Sequence, residues 1–504
     1  MWEGRSRPSF SIKMFKAKIK DWHWLLAIFL LSSILFFPAF KTFFTHDDFF
    51  LLKISKIDNF QGFLNFFNLI RGPEGLGMYR PLSMQIFYLL DWKLFNLDPF
   101  GLRVVSFLTF FIVIFLVYKF TKLLVPDRKV ALVAAFLYGT AASHFGHLYA
   151  FGAYSELLVT LFSLLGAISF VGFVKGKPTK YWYLSFLSFL AALLSKETFA
   201  IIPLLFVLIY LFYLVTDKKG LITAKKLIVS LVPFILVLAG YFYMRFRYFG
   251  FPEGDSYVWV FSSRVFNTFF WYLLWALNLP EMLVDFVGSG FAFNPNLFKY
   301  YSQEIIPIFA LFGALVVGLT YLIARNFKKL FSSRHFLFTI LFSAAWFAIS
   351  LLPILFLPLH KFTYYLTLPM VGFAIFVSYV LVNNKKRRTT ILFLGIWLSL
   401  SILTLTLTAK THWMTRGPQT ARNVHRYIKE NISMLEQYKT ISFFDIEEDK
   451  ELPWSPTEVL KVTLSDLNYF KVFWSGKWQV MYSKTEGPQK FSTVQIRARR
   501  FLGY

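Results

Sequence analysis

The chain has 504 residues, 57% of them hydrophobic and only 16% charged, with a mean hydropathy of +0.55. Soluble domains carry about 25% charged residues, so the composition excludes a soluble globular protein and predicts an all-α polytopic membrane protein. The absence of cysteine excludes disulfides, thiolate metal sites and a thiol nucleophile. The net charge of +26 does not imply a nucleic-acid partner, because the basic residues fall in short clusters between apolar runs.

The first 22 residues are basic and are expected to be cytoplasmic. The apolar stretch from Trp22 to Phe44 is too long for a signal h-region and lacks a small-residue cleavage site, so it reads as a retained first span. A crossing helix needs about 20 apolar residues. Such runs predict spans near 23–44, 100–122, 129–147, 153–174, 180–195, 198–216, 228–248, 303–325, 335–358, 362–383 and 389–409. The basic clusters run Arg5 to Lys20, Lys119 to Lys129, Lys175 to Lys180, Lys218 to Lys226, Arg325 to Arg334 and Lys385 to Arg388. Placing all of them in the cytoplasm satisfies the positive-inside rule with about eleven crossings and an external C-terminus.

Two stretches interrupt this pattern. Residues 82–97 follow Pro81 and mix apolar residues with Asp91 and Lys93, which predicts an amphipathic helix on the outer surface. Residues 264–288 are apolar but broken by Asn278, Pro280, Glu281 and Asp285. A span there would move every later basic cluster outside, so a re-entrant or interfacial helix is predicted. From Lys410 the chain becomes polar. Arg416 to Tyr438 reads as helix, and Thr440 to Asp445 and Trp478 to Tyr482 read as strands. Ser455-Pro456-Thr457-Glu458 carries the signals of a helix start. The predicted organisation is therefore a basic N-terminus (1–22), a transmembrane domain (23–409) and a small extracytoplasmic α/β tail (410–504), too short for a catalytic site of its own.

With this topology, most polar residues beside the apolar runs fall on the outer face: Asp47 and Asp48, Tyr79 and Arg80, His144 and His147, Tyr154 and Glu156, Lys196 and Glu197, His360 and Lys361. Adjacent carboxylates at a membrane edge are costly. Each raises the pKa of the other, which suits one of them to act as general base and the other to orient an acceptor or hold a metal. Helix capping by Thr45 or Asp47 ahead of Phe49–Ile57 is the structural alternative.

Arg80 lies in a loop with Gly72, Gly75 and Gly77 and suits a bidentate grip on phosphate; otherwise it snorkels beside an interfacial helix. Lys196, in a hairpin, needs an anionic partner. A ligand phosphate is favoured over Glu197, because neighbouring side chains on a helix point apart. Lys361 and His360 read similarly. His144 and His147 share a helix face and, with Glu156 or Asp48, leave a divalent metal site open; as a cavity lining they need no metal. Glu156 also suits a helix N-terminus on dipole grounds alone. No GxGxxG, GxxxxGK[ST] or HExxH motif is present, which disfavours nucleotide-driven chemistry.

On these residues the chain resembles the GT-C-fold glycosyltransferases that use polyprenyl-phosphate sugars, including the protein O-mannosyltransferase, aminoarabinose transferase and transmembrane-TPR mannosyltransferase branches. The resemblance rests on Asp47-Asp48, on Tyr79-Arg80-Pro81-Leu82, on Leu194-Ser195-Lys196-Glu197-Thr198, and on the run from Lys361 through Tyr364 to Pro369. It implies an inverting transfer from a lipid-linked donor on the outer face. By analogy Asp47 is the base and Asp48 the helper. Tyr79, Arg80, Lys196 and, less centrally, Lys361 hold the donor phosphate. His144, His147, Tyr154, Glu156, Glu197, His360 and Tyr364 line the acceptor cavity.

Where some relatives carry Arg then Asp, this chain has Ala153-Tyr154-Ser155-Glu156, and Lys361 stands where relatives often have Arg. No TPR array follows the last span. The implied partners are a polyprenyl-phosphate sugar, membrane lipids and an acceptor the sequence does not name, in the plasma (inner) membrane of a prokaryote. The competing readings are a flippase or transporter of such lipids, which places polar residues near the midplane on repeats, and a surface-polysaccharide polymerase or ligase, which needs a larger basic loop than Leu359-His360-Lys361.

Overall fold

The computed structural model describes residues 10–70, 77–250, 254, 256–288, 292–384, 386–487 and 491–503, with side chains from Asp21 onward. Gly72, Gly75, Lys385 and the start of the first basic cluster lie outside the described residues. The chain is mostly helical, with one small sheet near its C-terminus.

Apolar runs become helices where a polar cap starts them. The first helix, α1, is Phe10–Leu35, and Asp47–Ser55 forms α2. Asp98 accepts from Phe100 N and Pro99 takes the first turn of α3 (Pro99–Leu124). Asp127 likewise starts α4 (Arg128–Gly139). After α5 (Tyr154–Val174) and α6 (Lys180–Leu193) come α7 (Ile202–Thr216) and α8 (Ala224–Tyr248), the latter capped by Thr223. α9 (Arg264–Ala276) is short. α10 (Asn296–Ser332) carries Pro307 and a non-helical Tyr301, and α11 (Arg334–Leu355) is capped by Ser333. α12 (Pro369–Asn383) and α13 (Arg387–Thr411) complete the bundle.

Among the described residues seven helices are long and apolar enough to cross a membrane, which makes this a multi-pass integral membrane protein. The count of eleven is not reproduced. The other four expected spans fall on shorter apolar segments. The run 23–44 stops being α-helical at Leu35, with Pro38 in the 3-10 turn that follows. The run 129–147 breaks at Thr140-Ala141 into short turns. The run 180–195 ends at Leu193, and 362–383 becomes α-helical only at Pro369.

Residues 81–95 are helical but not one regular helix. Two wide-turn segments, Pro81–Ile86 and Asp91–Phe95, flank Phe87–Leu90. Met84, Gln85, Phe87, Tyr88 and Asp91 are buried, so the segment is packed in more deeply than a surface helix. Within 264–288 no described helix is long enough by itself to cross a membrane. α9 has 13 residues, and the chain then turns through Asn278 at φ 65. The Asn278 side-chain oxygen accepts from Ala142 N at 2.8 Å, and its backbone oxygen accepts from Thr404 Oγ1 at 2.6 Å. The polar residues that interrupt the run are what anchor it.

The tail begins with α14 (Trp413–Glu430). β1 (Thr440–Phe444) leads through α15 (Pro456–Thr463) and α16 (Asn468–Trp474) to β2 (Gln479–Ser483), parallel to it. Ser455 caps α15 as its sequence predicts. A third strand, β3 (Thr493–Arg497), absent from the sequence reading, pairs with the other edge of β1 to give the parallel order β2-β1-β3. The tail is no free appendage. Phe473 and Tyr469 pack on Phe43 and Phe49 beside α2.

Candidate functional site

One cavity of about 150 Å³ gathers much of the predicted set. Its walls include Asp47 and Asp48 from α2, Arg80 from the following loop, Lys196 from the α6–α7 turn, and His360 and Tyr364 from the loop before α12. Glu156, Glu197, Tyr79, Tyr154, His144, His147 and Lys361 stand behind or beyond it.

The two aspartates differ. Asp48 is 4% exposed. Its carboxylate accepts from Tyr88 Oη and, at 3.0 Å, from Thr45 N. Burial pushes its pKa up to about 6 against the pull of those two bonds. Asp47 is exposed toward the cavity, and its carboxylate has no hydrogen-bond or ion-pair partner among the described residues. Desolvation by its surroundings raises its pKa too. The helix expected at Phe49–Ile57 instead starts at Asp47, and the cap position is His46, which makes no side-chain cap bond. Asp48 closes that turn by binding back to Thr45 N. His46 holds φ 52 and ψ −125, close to the first central position of a type II′ turn, where glycine dominates. A non-glycine residue in such a region costs about 1–3 kcal/mol.

The basic residues are already paired. Arg80 reaches Glu197 Oε2 through Nε at 2.8 Å and Nη2 at 2.7 Å. Burial opposes its charge, but Glu197 outweighs it and raises the Arg80 pKa. Lys196 pairs with Glu156, both nearly inaccessible. The sequence does not announce this partner, and the pairing gives Glu156 a definite role beyond the helix dipole. Burial lowers the Lys196 pKa, while Glu156 raises it. The ammonium also lies 4.7 Å from the Tyr365 ring centroid and 5.6 Å from that of Tyr364.

His360 hydrogen-bonds Ser256 Oγ at 3.2 Å, packs on Tyr257, and burial pushes its pKa down to about 4. Lys361 is half-buried outside the cavity, where burial lowers its pKa and Asp285 opposes that shift. Tyr79 donates to Phe67 O at 3.0 Å, outside the cavity. Tyr154 stacks on Phe87 and meets Thr109 Oγ1 at 3.1 Å.

His144 and His147 are fully buried away from the acids. One contacts Tyr138 O at 2.7 Å and the other Thr367 Oγ1 at 3.0 Å. Among the described residues no three His, Asp or Glu side chains converge as a metal-ligand set, so the histidine-based metal grouping is not assembled.

Several further contributors surround the cavity. Arg103, 1% exposed, lies beneath Asp48. It donates to Leu148 O, to Thr42 Oγ1 at 2.5 Å and to Tyr149 O at 3.2 Å, and covers the Phe151 ring at 3.7 Å. It joins the acidic loop to the 148–153 wall. A cation near the start of an apolar run was the available signal. Tyr257, Tyr365, Trp413 and Met414 also line the cavity; nothing in their local sequence marks them. Glu281 accepts from Thr363 N at 2.6 Å and meets His412 Nε2 at 3.2 Å. It ties the turn after α9 to the loop bearing His360 and to the start of α14.

Residues 80–242 match the family model of dolichyl-phosphate-mannose-protein mannosyltransferases, a GT-C family domain. The match covers about a third of the chain. It contains Arg80, Glu156, Lys196 and Glu197 and stops short of Asp47 and Asp48 on one side and the tail on the other. None of the curated proteins compared matches the chain. The family match and the apolar helices together support a membrane glycosyltransferase.

Proposed function

We propose that the chain transfers a sugar, with inversion, from a polyprenyl-phosphate donor to an acceptor hydroxyl or amine in the cavity of Asp47, Arg80 and Lys196, on the extracytoplasmic face. The observation that carries this reading is the pairing of one unengaged carboxylate with two cations around a single cavity. The acceptor heteroatom attacks C1 of the sugar from the side opposite the phosphate. Asp47 takes its proton as the new bond forms. The bond from C1 to the phosphate oxygen breaks, and its electron pair leaves with the polyprenyl phosphate, which gains one negative charge. Arg80 and Lys196 stabilise that charge in a site screened from water. Asp48, engaged with Tyr88 and Thr45, orients the turn rather than taking the proton.

The test uses the purified full chain, polyprenyl-phosphate mannose as the probe donor, and Asp47→Asn. Loss of sugar release with unchanged folding supports the reading. Full transfer by Asp47→Asn, or movement of the probe lipid across vesicles without its consumption, overturns it.

A further inference from the structure

We propose that the C-terminal unit is a working part of the site, with Gly417 and the Thr463 carbonyl acting as a clamp that sets the backbone from which Asp47 is presented. The inference rests on the transferase reading and extends it to a segment outside the family match.

Locally the turn is closed by Asp48 N donating to Thr45 O at 3.1 Å and by the Asp48 carboxylate accepting from Thr45 N, yet φ 52 and ψ −125 at His46 is a conformation that persists in a non-glycine residue only when the surroundings impose it. Further restraints come from the tail. His46 N donates to Thr463 O at 2.8 Å. Thr45 Oγ1 approaches the same carbonyl at 3.4 Å and His46 Nδ1 at 2.8 Å. Thr463 is the last residue of α15, where helix carbonyls are left without an intrahelical donor. That vacant acceptor is given to the residue next to Asp47.

On the other side lies Gly417, inside α14, where glycine is a poor helix former. A Cβ there would lie 2.6 Å from His46 Cε1 and 2.8 Å from Thr45 Oγ1. A side chain there fits only if the His46 ring and the Thr45 hydroxyl give way, so the glycine allows the close approach of α14 to the turn. Trp413, one helical turn earlier, meets the His46 ring edge-on at 5.1 Å and itself lines the cavity. Below, Lys53 reaches Asn468 Oδ1 at 3.2 Å, and Ser465 and Asp466, at φ 52 and 55, turn the chain from α15 into α16 alongside α2. The acidic turn is therefore held from above by α14 and α15 and along its flank by α16.

Gly417 touches neither the cavity nor a substrate, so it is a positioning residue, and its test needs readouts that simple destabilisation does not move. Four proteins are compared as full chains: the parent, Gly417→Ala, Thr45→Ala/His46→Gly, and the combination of all three. The first readout is hydrogen exchange of the amides of residues 45–49 against those of the spans. The second is turnover of polyprenyl-phosphate mannose. Gly417→Ala is expected to speed exchange at 45–49 alone. It should lower kcat on the order of tenfold or more, since sub-ångström misplacement of a catalytic group has large effects, while KM for the donor changes less than about twofold.

In the Thr45→Ala/His46→Gly background, where the colliding atoms are gone, adding Gly417→Ala should cost nothing further. An equal loss in both backgrounds, or parent-like exchange and turnover in Gly417→Ala, overturns the clamp. If Gly417→Ala does not fold, Phe473→Leu loosens the α16 contact instead, with the same expected exchange at 45–49. If the parent itself consumes no donor, the transferase reading fails, while the exchange experiment still decides the clamp.

Discussion

The two ends of the cavity are built on opposite principles. At the acidic end one carboxylate, Asp48, is fully engaged, and its neighbour Asp47 has no partner. At the basic end neither cation is unengaged, since Arg80 holds Glu197 and Lys196 holds Glu156. The acidic end is ready to take a proton as it stands. The basic end must share its cations when a phosphate arrives, which lets binding be reversible: departure of the lipid phosphate restores two resident ion pairs instead of leaving bare buried charges.

The sharpest way to break this comparison is to remove each aspartate separately. Asp47→Asn should lower kcat by roughly 10²–10⁴-fold, the range of a lost general base. Asp48→Asn keeps one oxygen acceptor but places an amide against a donor. It should cost about 1–3 kcal/mol of stability and far less turnover. Equal kinetic losses in steady-state assays would mean that the two carboxylates work as one titrating unit and that the structural division between them carries no chemistry.

At the basic end, Lys196→Gln strands the Glu156 carboxylate in a nearly inaccessible position, at a cost of about 3–5 kcal/mol. Removing both charges with Glu156→Gln/Lys196→Gln should recover most of that stability in thermal unfolding. KM for the donor should stay raised on the order of tenfold, because the phosphate contact is still missing. If the double variant regains donor affinity as well, the pair is purely structural, and the cavity has only Arg80 as a cation.

The pH dependence follows from the acidic end. Asp47 acts only when deprotonated, and its pKa is raised, so kcat/KM should rise with pH through the acid pair, with Asp48 at about 6. The Asp47 shift comes from desolvation, whereas the charge of Asp47 is among the causes that raise Asp48. Asp48→Asn should therefore leave the rising limb in place. A limb that moves to lower pH would show that it belongs to the coupled pair.

Much of the site was legible because chemistry leaves marks on an apolar sequence. Asp47, Asp48, Arg80 and Lys196 stand out where charge is expensive, and all four reach one cavity. What stayed hidden is pairing. Lys196 and Glu156 are separated by 40 positions and Arg80 and Glu197 by 117. No local periodicity says which acid meets which base. The histidine pair is a different case: His144 ends a 3-10 turn and His147 lies in the short helix after it, their rings meet at 5.0 Å, and both turn into the core. In the tail, Ser455-Pro456 announced α15, whereas β3 depends on an edge offered by β1. The docking of Phe473 on Phe49 depends on tertiary fit alone.

A third carboxylate sharpens the comparison from outside the cavity. Asp91 is fully buried, neither of its oxygens has a hydrogen-bond partner among the described residues, and burial, aided by Asp98, pushes its pKa up to about 8. If a raised pKa by itself made a base, Asp91 would outrank Asp48. It lines no part of the cavity, so Asp91→Asn should leave donor turnover within about twofold of the parent. Its effect belongs to stability. With the folded pKa above the unfolded value of about 3.9, the native state keeps a proton that the unfolded chain has released. Stability is therefore greatest below about pH 4 and declines as pH rises toward 8. Asp91→Asn removes that decline, so thermal unfolding followed from pH 5 to 8 should give a flatter profile and a higher Tm at the alkaline end. A variant that instead lost turnover would move the acceptor path into the 81–95 segment and redraw the boundary of the acidic end.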